Sequence, residues 1–256
     1  MLSACWTPPS SRPLLLGHRG ARHAAPENTF AAFDLALAEG AEGVELDVRM
    51  NASGDVVVCH DVTLERVTEG RDRRAVADLS RAECAAVRLG QDEPLPLLPD
   101  VLDWAERHGA CLNVELKMDG HRRPALVRAV AEQLVSRGSP GNVLISSFSP
   151  LAVLAHRALA PAVASAWLVD SAAAARVPLL PRIGNVALHP RHTLIDRASL
   201  ARWRRERARV HTWTVNDPAR ARELAALGVD CLISDNPGLL LRALAPTAGT
   251  ADTHAG

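Results

Sequence analysis

Carboxylates and histidines recur in four short segments near the start of this 256-residue chain. The segments read GHRG (17–20), PENTF (26–30), VELDVR (44–49) and VVVCHD (56–61). A fifth segment, NVELK (113–117), adds another carboxylate and the only lysine of the chain. Carboxylate oxygens bind hard metal ions, and an imidazole exchanges protons near neutral pH. Together these segments indicate a metal-assisted acid–base site.

Three of the carboxylates have the spacing of strand residues that share one face. Glu45 and Asp47 are two residues apart, as are Glu115 and Lys117, and side chains at i and i+2 project from the same side of a strand. Buried together, three carboxylates would repel one another and lose hydration unless a cation were bound. Oxygen ligands favour Mg²⁺ or Ca²⁺ over zinc. We therefore predict one divalent cation, Mg²⁺ or Ca²⁺, on Glu45, Asp47 and Glu115; the alternative is surface carboxylates paired with arginines.

Histidines and cations accompany these carboxylates. His18 and His60 could act as proton donor and proton acceptor, without the sequence assigning the two roles. Arg19 and Lys117 could clamp a phosphate beside the metal, or could simply neutralise the carboxylates. His189 and Trp213 could each line a substrate pocket or have a purely structural role.

Short apolar strands alternate with amphipathic helices along the whole chain. The eight predicted strands are 14–19, 43–50, 111–117, 142–148, 163–169, 185–189, 210–215 and 229–234. Eight such units predict an α/β fold, a (β/α)8 TIM barrel, whose active site lies at the carboxyl ends of the strands. An open doubly wound sheet is the alternative, but no G-x-G-x-x-G loop is present.

The pattern also predicts how the chain is divided. A single barrel domain is expected over 13–245, with disordered tails at 1–12 and 246–256. Residues 51–60 should form a hairpin beyond the second strand. The stretch 62–99 is polar and breaks the alternation, so we interpret it as a small irregular insertion after strand 2.

Composition excludes several classes of protein. The net charge is zero, with 48% apolar and 23% charged residues, so bulk charge does not direct the chain to nucleic acid. The arginine-rich run 202–209 is better explained as a solvated outer helix. No segment is long and apolar enough to insert stably in a membrane, and the first residues lack the pattern of a secretory signal.

The cysteines are odd in number and scattered. None has C-x-x-C spacing, so we expect free, buried thiols in a reducing cytoplasm and neither a disulfide framework nor a zinc site. The location is accordingly predicted to be cytoplasmic. The five are Cys5, Cys59, Cys84, Cys111 and Cys231.

In order along the chain, GHRG, PENTF, VELDVR, HDVTLERVT, NVELK and WTVN are similar to the motifs of the glycerophosphodiester phosphodiesterase family. The resemblance extends from about Leu14 to Leu244 and implies a TIM barrel with an insertion after strand 2. It implies a phosphoric diester hydrolase of glycerol and lipid metabolism that forms sn-glycerol 3-phosphate and an alcohol, usually with Ca²⁺ or Mg²⁺. The first nucleophile could be water or the neighbouring glycerol 2-hydroxyl.

The resemblance also implies a role for each matching residue. Three groups are implied: metal ligands Glu45, Asp47 and Glu115; the acid–base pair His18 and His60; and substrate or phosphate contacts Arg19, Lys117, His189, Phe148 and Trp213. The chain departs from the family pattern at NASGD (51–55), at TEGRDRR (68–74) and at Leu98. These departures bear on the insertion and on the choice of alcohol.

Two other functions are compatible with such a barrel. A lipid phosphodiesterase resembling sphingomyelinase D or phosphatidylinositol phospholipase C would need an apolar rim, which 3% aromatic residues and no tyrosine disfavour. A catalytically inactive barrel that serves as a binding protein should have lost a ligand or a histidine, and none is missing. The expected partner is therefore a small glycerophosphodiester; the head group, the metal and the oligomeric state are left open.

Overall fold

Eight parallel strands close into a barrel in the computed structural model, which describes residues 4–90, 92–120, 123–138, 140–177, 183 and 186–245. In barrel order the strands are β1 (Leu14–His18), β2 (Gly43–Met50), β6 (Cys111–Leu116), β7 (Val143–Ser147), β8 (Ala164–Val169), β9 (Ala187–Pro190), β10 (Arg209–Thr212) and β11 (Cys231–Ser234). Pairing of β1 with both β2 and β11 closes the barrel. The predicted TIM barrel is confirmed.

Helices surround this barrel. Within the described residues they are α1 (Phe30–Ala38), α2 (Arg81–Ala86), α3 (Leu98–His108), α4 (Arg123–Ser136), α5 (Pro150–Leu159), α6 (Arg197–Arg205), α7 (Pro218–Leu227) and α8 (Pro237–Leu244). Several begin at a side-chain cap, for example Thr29 before α1 and Asp217 before α7. In the described part of the chain, no helix combines the length and the apolar character that crossing a bilayer requires.

The side chains of each strand alternate between two environments. On β2, Val44, Leu46 and Val48 face outward and pack under the helices, while Glu45 and Asp47 face inward. Gly43 begins this strand, and a Cβ there would lie 1.9 Å from the Cys111 carbonyl oxygen on β6. The close contact of the two strands therefore requires glycine.

The predicted hairpin is present: β3 (Val56–Val58) pairs antiparallel with the end of β2. The insertion after it is better ordered than expected. It contains α2, which begins with a capping box between Ser80 and Glu83, and a small hairpin of β4 (Arg88–Leu89) and β5 (Glu93–Pro94). Its apolar residues form a separate core that includes Leu64, Val76 and Leu79. These apolar residues are distributed over several very short elements, none long enough to show strand or helix periodicity, which is why the segment appeared irregular.

The expected disordered tail at 1–12 is wrong for residues 4–12. Residues Ala4–Trp6 form a 3₁₀ turn, Trp6 is fully buried, and Arg12 pairs with Glu42 at 2.6 Å. Trp6 lies inside the amino-terminal end of the barrel with Leu14, Leu16, Cys111, Leu144, Ala164, Ala166, Ala187 and Cys231. We call this set the barrel floor. The predicted tail at 246–256 lies outside the described residues.

A disulfide joins Cys5 to Cys111, so the expectation of free thiols is wrong for these two residues. Their Cα atoms are 5.8 Å apart although 106 positions separate them in the sequence. Spacing rules recognise local motifs and cannot detect such a pair, because only the folded amino-terminal segment brings it together. Structural disulfides are typical of oxidising compartments. The pair therefore weakens the argument for a cytoplasmic location, which stays a prediction.

Candidate active site

Three carboxylates converge at the carboxyl ends of β2 and β6, and we call Glu45, Asp47 and Glu115 the carboxylate triad. The strand register places Asp47 directly beside Glu115. One ligand oxygen from each of the three lies within 4.8 Å of the others, and all three residues are buried. The arrangement of the triad matches the predicted hard-metal site, with oxygen ligands only.

Two cations lie against the triad. Lys117 Nζ is 2.7 Å from Glu115 Oε1 and 3.0 Å from Asp47 Oδ1. Arg19 Nε is 3.0 Å from Asp47 Oδ2 on the other side. Burial alone would raise the pKa of Asp47, but these two cations lower it well below its usual range. Asp47 is therefore held as a carboxylate between them.

For Glu45 and Glu115, burial and repulsion from Asp47 outweigh the attraction of the two cations. Burial, followed by the charge of Asp47, raises the pKa of Glu115 to about 7 and raises the pKa of Glu45 well above its ordinary value. Three carboxylates face two cations here, so one negative charge is left in a buried place. A divalent cation would offset this charge and keep all three ionised.

His60 forms a pair with the residue that follows it. Its Nδ1 lies 2.6 Å from Asp61 Oδ1, which leaves Nε2 for the cavity. Arg66 donates from Nε to Asp61 Oδ2 at 2.6 Å and also contacts Glu27. Burial lowers the pKa of His60. Burial alone would raise the pKa of Asp61, but its hydrogen bonds with Arg66 and His60 lower it to about 2. Asp61 thus remains charged and orients the ring.

His18 forms a second pair of the same kind across the closure of the barrel. Its Nδ1 lies 2.6 Å from Asp235 Oδ1, and its Nε2 lies 3.9 Å from Glu45 Oε2. Asn216 donates to the other Asp235 oxygen at 2.7 Å. Each histidine therefore has one ring nitrogen on an aspartate and the other free to exchange a proton with a substrate.

The loop after β1 shapes one wall of the site. Arg19 and Asn28 both have positive φ, at 56° and 58°, and Asn28 Nδ2 donates to Asp47 Oδ2 at 3.2 Å. Gly20 follows with φ +84°, where a Cβ would lie 2.5 Å from the Ala32 backbone. The second glycine of GHRG is thus required for the loop to pass close to α1. Arg19 Nη1 also pairs with Glu27 Oε1 at 2.9 Å.

These groups open into one cavity of about 240 Å³ at the rim of the barrel. Its polar lining includes His18, His60 and Glu115, and its apolar wall includes Phe148 and Trp213. The two aromatic rings meet edge to face with centroids 5.4 Å apart. The predicted site residues line this cavity except Asp47 and His189, and each of these two contacts residues that do.

His189 does not reach this cavity, and its expected contact with substrate is wrong. The residue is fully buried inside the barrel, and its Nε2 lies 3.1 Å from His211 Nδ1. Burial and the neighbouring His211 hold the pKa of His189 well below its ordinary value. The strand continues to Pro190, so His189 sits below the rim rather than at the strand end.

The family of glycerophosphoryl diester phosphodiesterases matches residues 18–239. The chain belongs to this family. Its resemblance to the family is thereby confirmed, as is the prediction of an enzyme, a glycerophosphodiester phosphodiesterase. The match includes both histidine pairs and the whole triad.

Individual relatives cover nearly the whole chain. It is 27% identical over 237 residues to a glycerophosphodiester phosphodiesterase of Caldanaerobacter subterraneus, covering 90% of this chain and 97% of the relative. Among solved structures, it superposes with a TM-score of 0.81 on an Oleispira antarctica phosphodiesterase in complex with the product sn-glycerol-3-phosphate; the two are 29% identical, with 91% and 97% of the chains covered. A glycerophosphodiester phosphodiesterase of Agrobacterium tumefaciens gives a TM-score of 0.77 at 27% identity, with 90% and 98% covered.

Sequence reasoning assigned no role to several polar partners. Asp61 could have been found, because it directly follows His60 in the HD dipeptide. Asp235 directly follows the last predicted strand, but its pairing with a histidine 217 positions away has no local signal. Glu27 and Asn28 lie within the PENTF motif, yet only the fold brings them against Arg19 and Asp47.

Proposed function

We propose that the rim cavity hydrolyses glycerophosphodiesters to sn-glycerol 3-phosphate and an alcohol, with one Mg²⁺ or Ca²⁺ ion on the triad and with His18 and His60 as the acid–base pair. The observation that supports this most directly is that both aspartate-bound histidines border one cavity with Glu45 and Glu115 of the triad. The product complex of the Oleispira antarctica relative supports the same class of substrate.

A hard divalent cation fits the residues present. Glu45, Asp47 and Glu115 would hold it, since they offer buried carboxylate oxygens and leave one negative charge unpaired by Arg19 and Lys117. When bound, such an ion supplies Lewis-acid polarisation of a phosphoryl oxygen. Neither nitrogen nor sulfur ligands belong to the cluster, which favours Mg²⁺ or Ca²⁺ over zinc.

The two histidines supply the proton transfers in this proposal. Asp61 and Asp235 each hold a ring through Nδ1, so Nε2 is the atom that takes or gives a proton. One imidazole accepts the proton of the nucleophile, water or the glycerol 2-hydroxyl, while the other protonates the departing alcohol. The paired aspartates stabilise whichever imidazole is charged at each step.

Arg19 and Lys117 bind the phosphate in this proposal. Both are held in place by the triad and line the cavity, and a cation aimed at the phosphoryl oxygens offsets the charge that develops there. Phe148 and Trp213 form the apolar wall, against which the carbon skeleton of the substrate would pack. The proposed partner is a small molecule rather than nucleic acid or membrane.

Turnover of a panel of glycerophosphodiesters after chelation and metal add-back tests the proposal. We expect activity on glycerophosphocholine or glycerophosphoethanolamine to be lost with chelator and restored by Mg²⁺ or Ca²⁺. Intact phospholipids in parallel test the lipid-phosphodiesterase alternative. Inactivity on every glycerophosphodiester with either metal would contradict the proposal and favour a binding protein.

A further inference from the structure

Arg49 continues the row of charged side chains beyond the triad. It follows Asp47 by two positions on β2, just as Asp119 follows Lys117 by two positions after β6. Its Nη1 and Nη2 donate to Asp119 Oδ1 and Oδ2 at 2.7 and 3.0 Å. The arginine side chain is only 7% exposed although it lies beyond the triad. A second charged pair thus lies above the metal ligands.

The same guanidinium contacts the main chain of a proposed catalytic residue. Arg49 Nε and Nη2 both donate to the carbonyl oxygen of His60, at 2.8 and 2.5 Å. One side of the planar group therefore holds Asp119, and another holds His60. Only arginine offers donors at two such angles at once. The Arg49 hydrogen bond also lowers the pKa of Asp119, so the pair remains charged.

His60 needs an anchor of this kind because strand pairing does not extend to it. The β2–β3 register ends with Val48 beside Val58, and the next main-chain bond joins Cys59 N to Asp47 O at 2.9 Å. Beyond that point the chain bends away from the sheet. Asp61 orients the imidazole ring, and Arg49 fixes the backbone from which the ring projects.

We propose that Arg49 is a positioning residue that sets the place of His60 relative to the triad, with Asp119 orienting the guanidinium. This inference rests on the proposed acid–base role of His60. Arg49 ties together the strand of Glu45 and Asp47, the His60 bend and the segment after Lys117. Displacing a reacting group by about 1 Å can reduce the rate about 10²-fold, so loss of this tie should act on kcat.

A double-mutant cycle with Arg49→Met and His60→Ala tests the inference. With His60 present, Arg49→Met should lower kcat about 30-fold while KM changes less than about 3-fold. In the His60→Ala background, the same change should lower kcat by less than about 2-fold, because nothing is left to position. Equal losses in both backgrounds would overturn the inference. If His60→Ala alone keeps full activity, the proposed acid–base role fails instead, and with it the premise of the inference.

Further variants separate positioning from folding. Arg49→Lys keeps the charge but has only one donor nitrogen, and its kcat should lie between those of Arg49→Met and the unaltered protein. Asp119→Asn should cost less than Arg49→Met because the His60 contact remains. If Arg49→Met does not fold, Arg49→Lys replaces it in the same cycle. Arg81→Met is the matched control: Arg81 pairs with Asp55 on the same hairpin but is 72% exposed. A loss of kcat in Arg81→Met as large as in Arg49→Met would also overturn the inference.

Discussion

The two ends of the barrel differ in what they bury: the rim buries charged side chains, and the floor buries apolar ones. At the rim, buried carboxylates and cations contact one another, and Asp47 stays ionised between Arg19 and Lys117. At the floor, the inward side chains are apolar, with neutral histidines and Asn113 just above them, and Trp6 stacks on His211 with centroids 5.6 Å apart. The same strands build both ends. Stability and chemistry are therefore separated along the length of each strand.

Strand β6 shows this separation along one row of side chains. Its inward positions run from Cys111, in the disulfide, through Asn113 to Glu115 of the triad. Burial without an opposite charge drives a group to its neutral form, as for His211, whose pKa burial lowers to about 4. Burial beside cations preserves the charge of Asp47. Changes at the rim should therefore affect turnover, and changes at the floor should affect stability.

The largest effect is expected from Glu115→Gln at the rim. Loss of one triad carboxylate should lower kcat/KM about 10³-fold, because metal-assisted charge stabilisation contributes several kcal/mol. The free energy of unfolding should fall little. Glu42→Gln is the matched control at the other end, where Glu42 pairs with Arg12 at 2.6 Å, and it should leave kcat/KM within about 2-fold. Near-normal turnover of Glu115→Gln would remove Glu115 from the ligand set.

Cys5→Ser, which removes the disulfide at the floor, should lower stability and leave turnover nearly unchanged. The disulfide closes a loop of 106 positions, for which chain-entropy arguments give about 5 kcal/mol as an upper limit, and disulfides typically contribute about 2–4 kcal/mol. Denaturant unfolding with and without reductant measures this free energy, while turnover at 25 °C should stay within about 2-fold. The buried free thiol Cys84 supplies the control, since Cys84→Ser should keep the response to reductant. An unfolding midpoint of the unaltered protein that reductant does not move would contradict the prediction.

Acid should weaken the floor through His211. Its pKa is about 4 in the folded protein, whereas an unfolded histidine has a pKa of about 6.5, so the unfolded state binds more protons between these values. Stability is fully present above about pH 6.5 and is lost as the pH falls toward about 4, by up to roughly 3 kcal/mol. The free energy of unfolding against pH should be flatter for His211→Gln than for the unaltered protein. Identical slopes would show that His211 does not contribute.

The smallest of these effects is expected from Lys117→Arg. The charge is kept, but a planar fork replaces a compact ammonium between Asp47 and Glu115, and kcat should fall about 10-fold. Arg12→Lys makes the opposite exchange at the amino-terminal end of the barrel, where Arg12 pairs with Glu42, and should leave kcat unchanged. Steady-state kinetics of both variants provide the measurement. A silent Lys117→Arg would refute the need for a point charge at this place.

Much of the barrel could be predicted because strand signals are local. The alternation of apolar strands and amphipathic helices predicted eight strands, and their bounds shifted by a few residues, as for β10, which ends at Thr212. The i, i+2 spacing placed Glu45 and Asp47 on one face without knowledge of the fold. The insertion and the segment 4–12 were misjudged, since their apolar residues pack only through distant contacts.

The amino-acid sequence by itself determined which side chains face inward at the rim, because pleating fixes the direction of residues two apart on a strand. It therefore supplied the triad, Lys117 and His18, whereas His60, which lies beyond the end of β3, was found from the HDVTLERVT motif. Only the tertiary structure decided their partners: closure of β11 against β1 brings Asp235 to His18, and the folded amino-terminal segment brings Cys5 to Cys111. These contacts join residues more than 100 positions apart, and no local sequence pattern shows which distant segments become neighbours when the barrel closes.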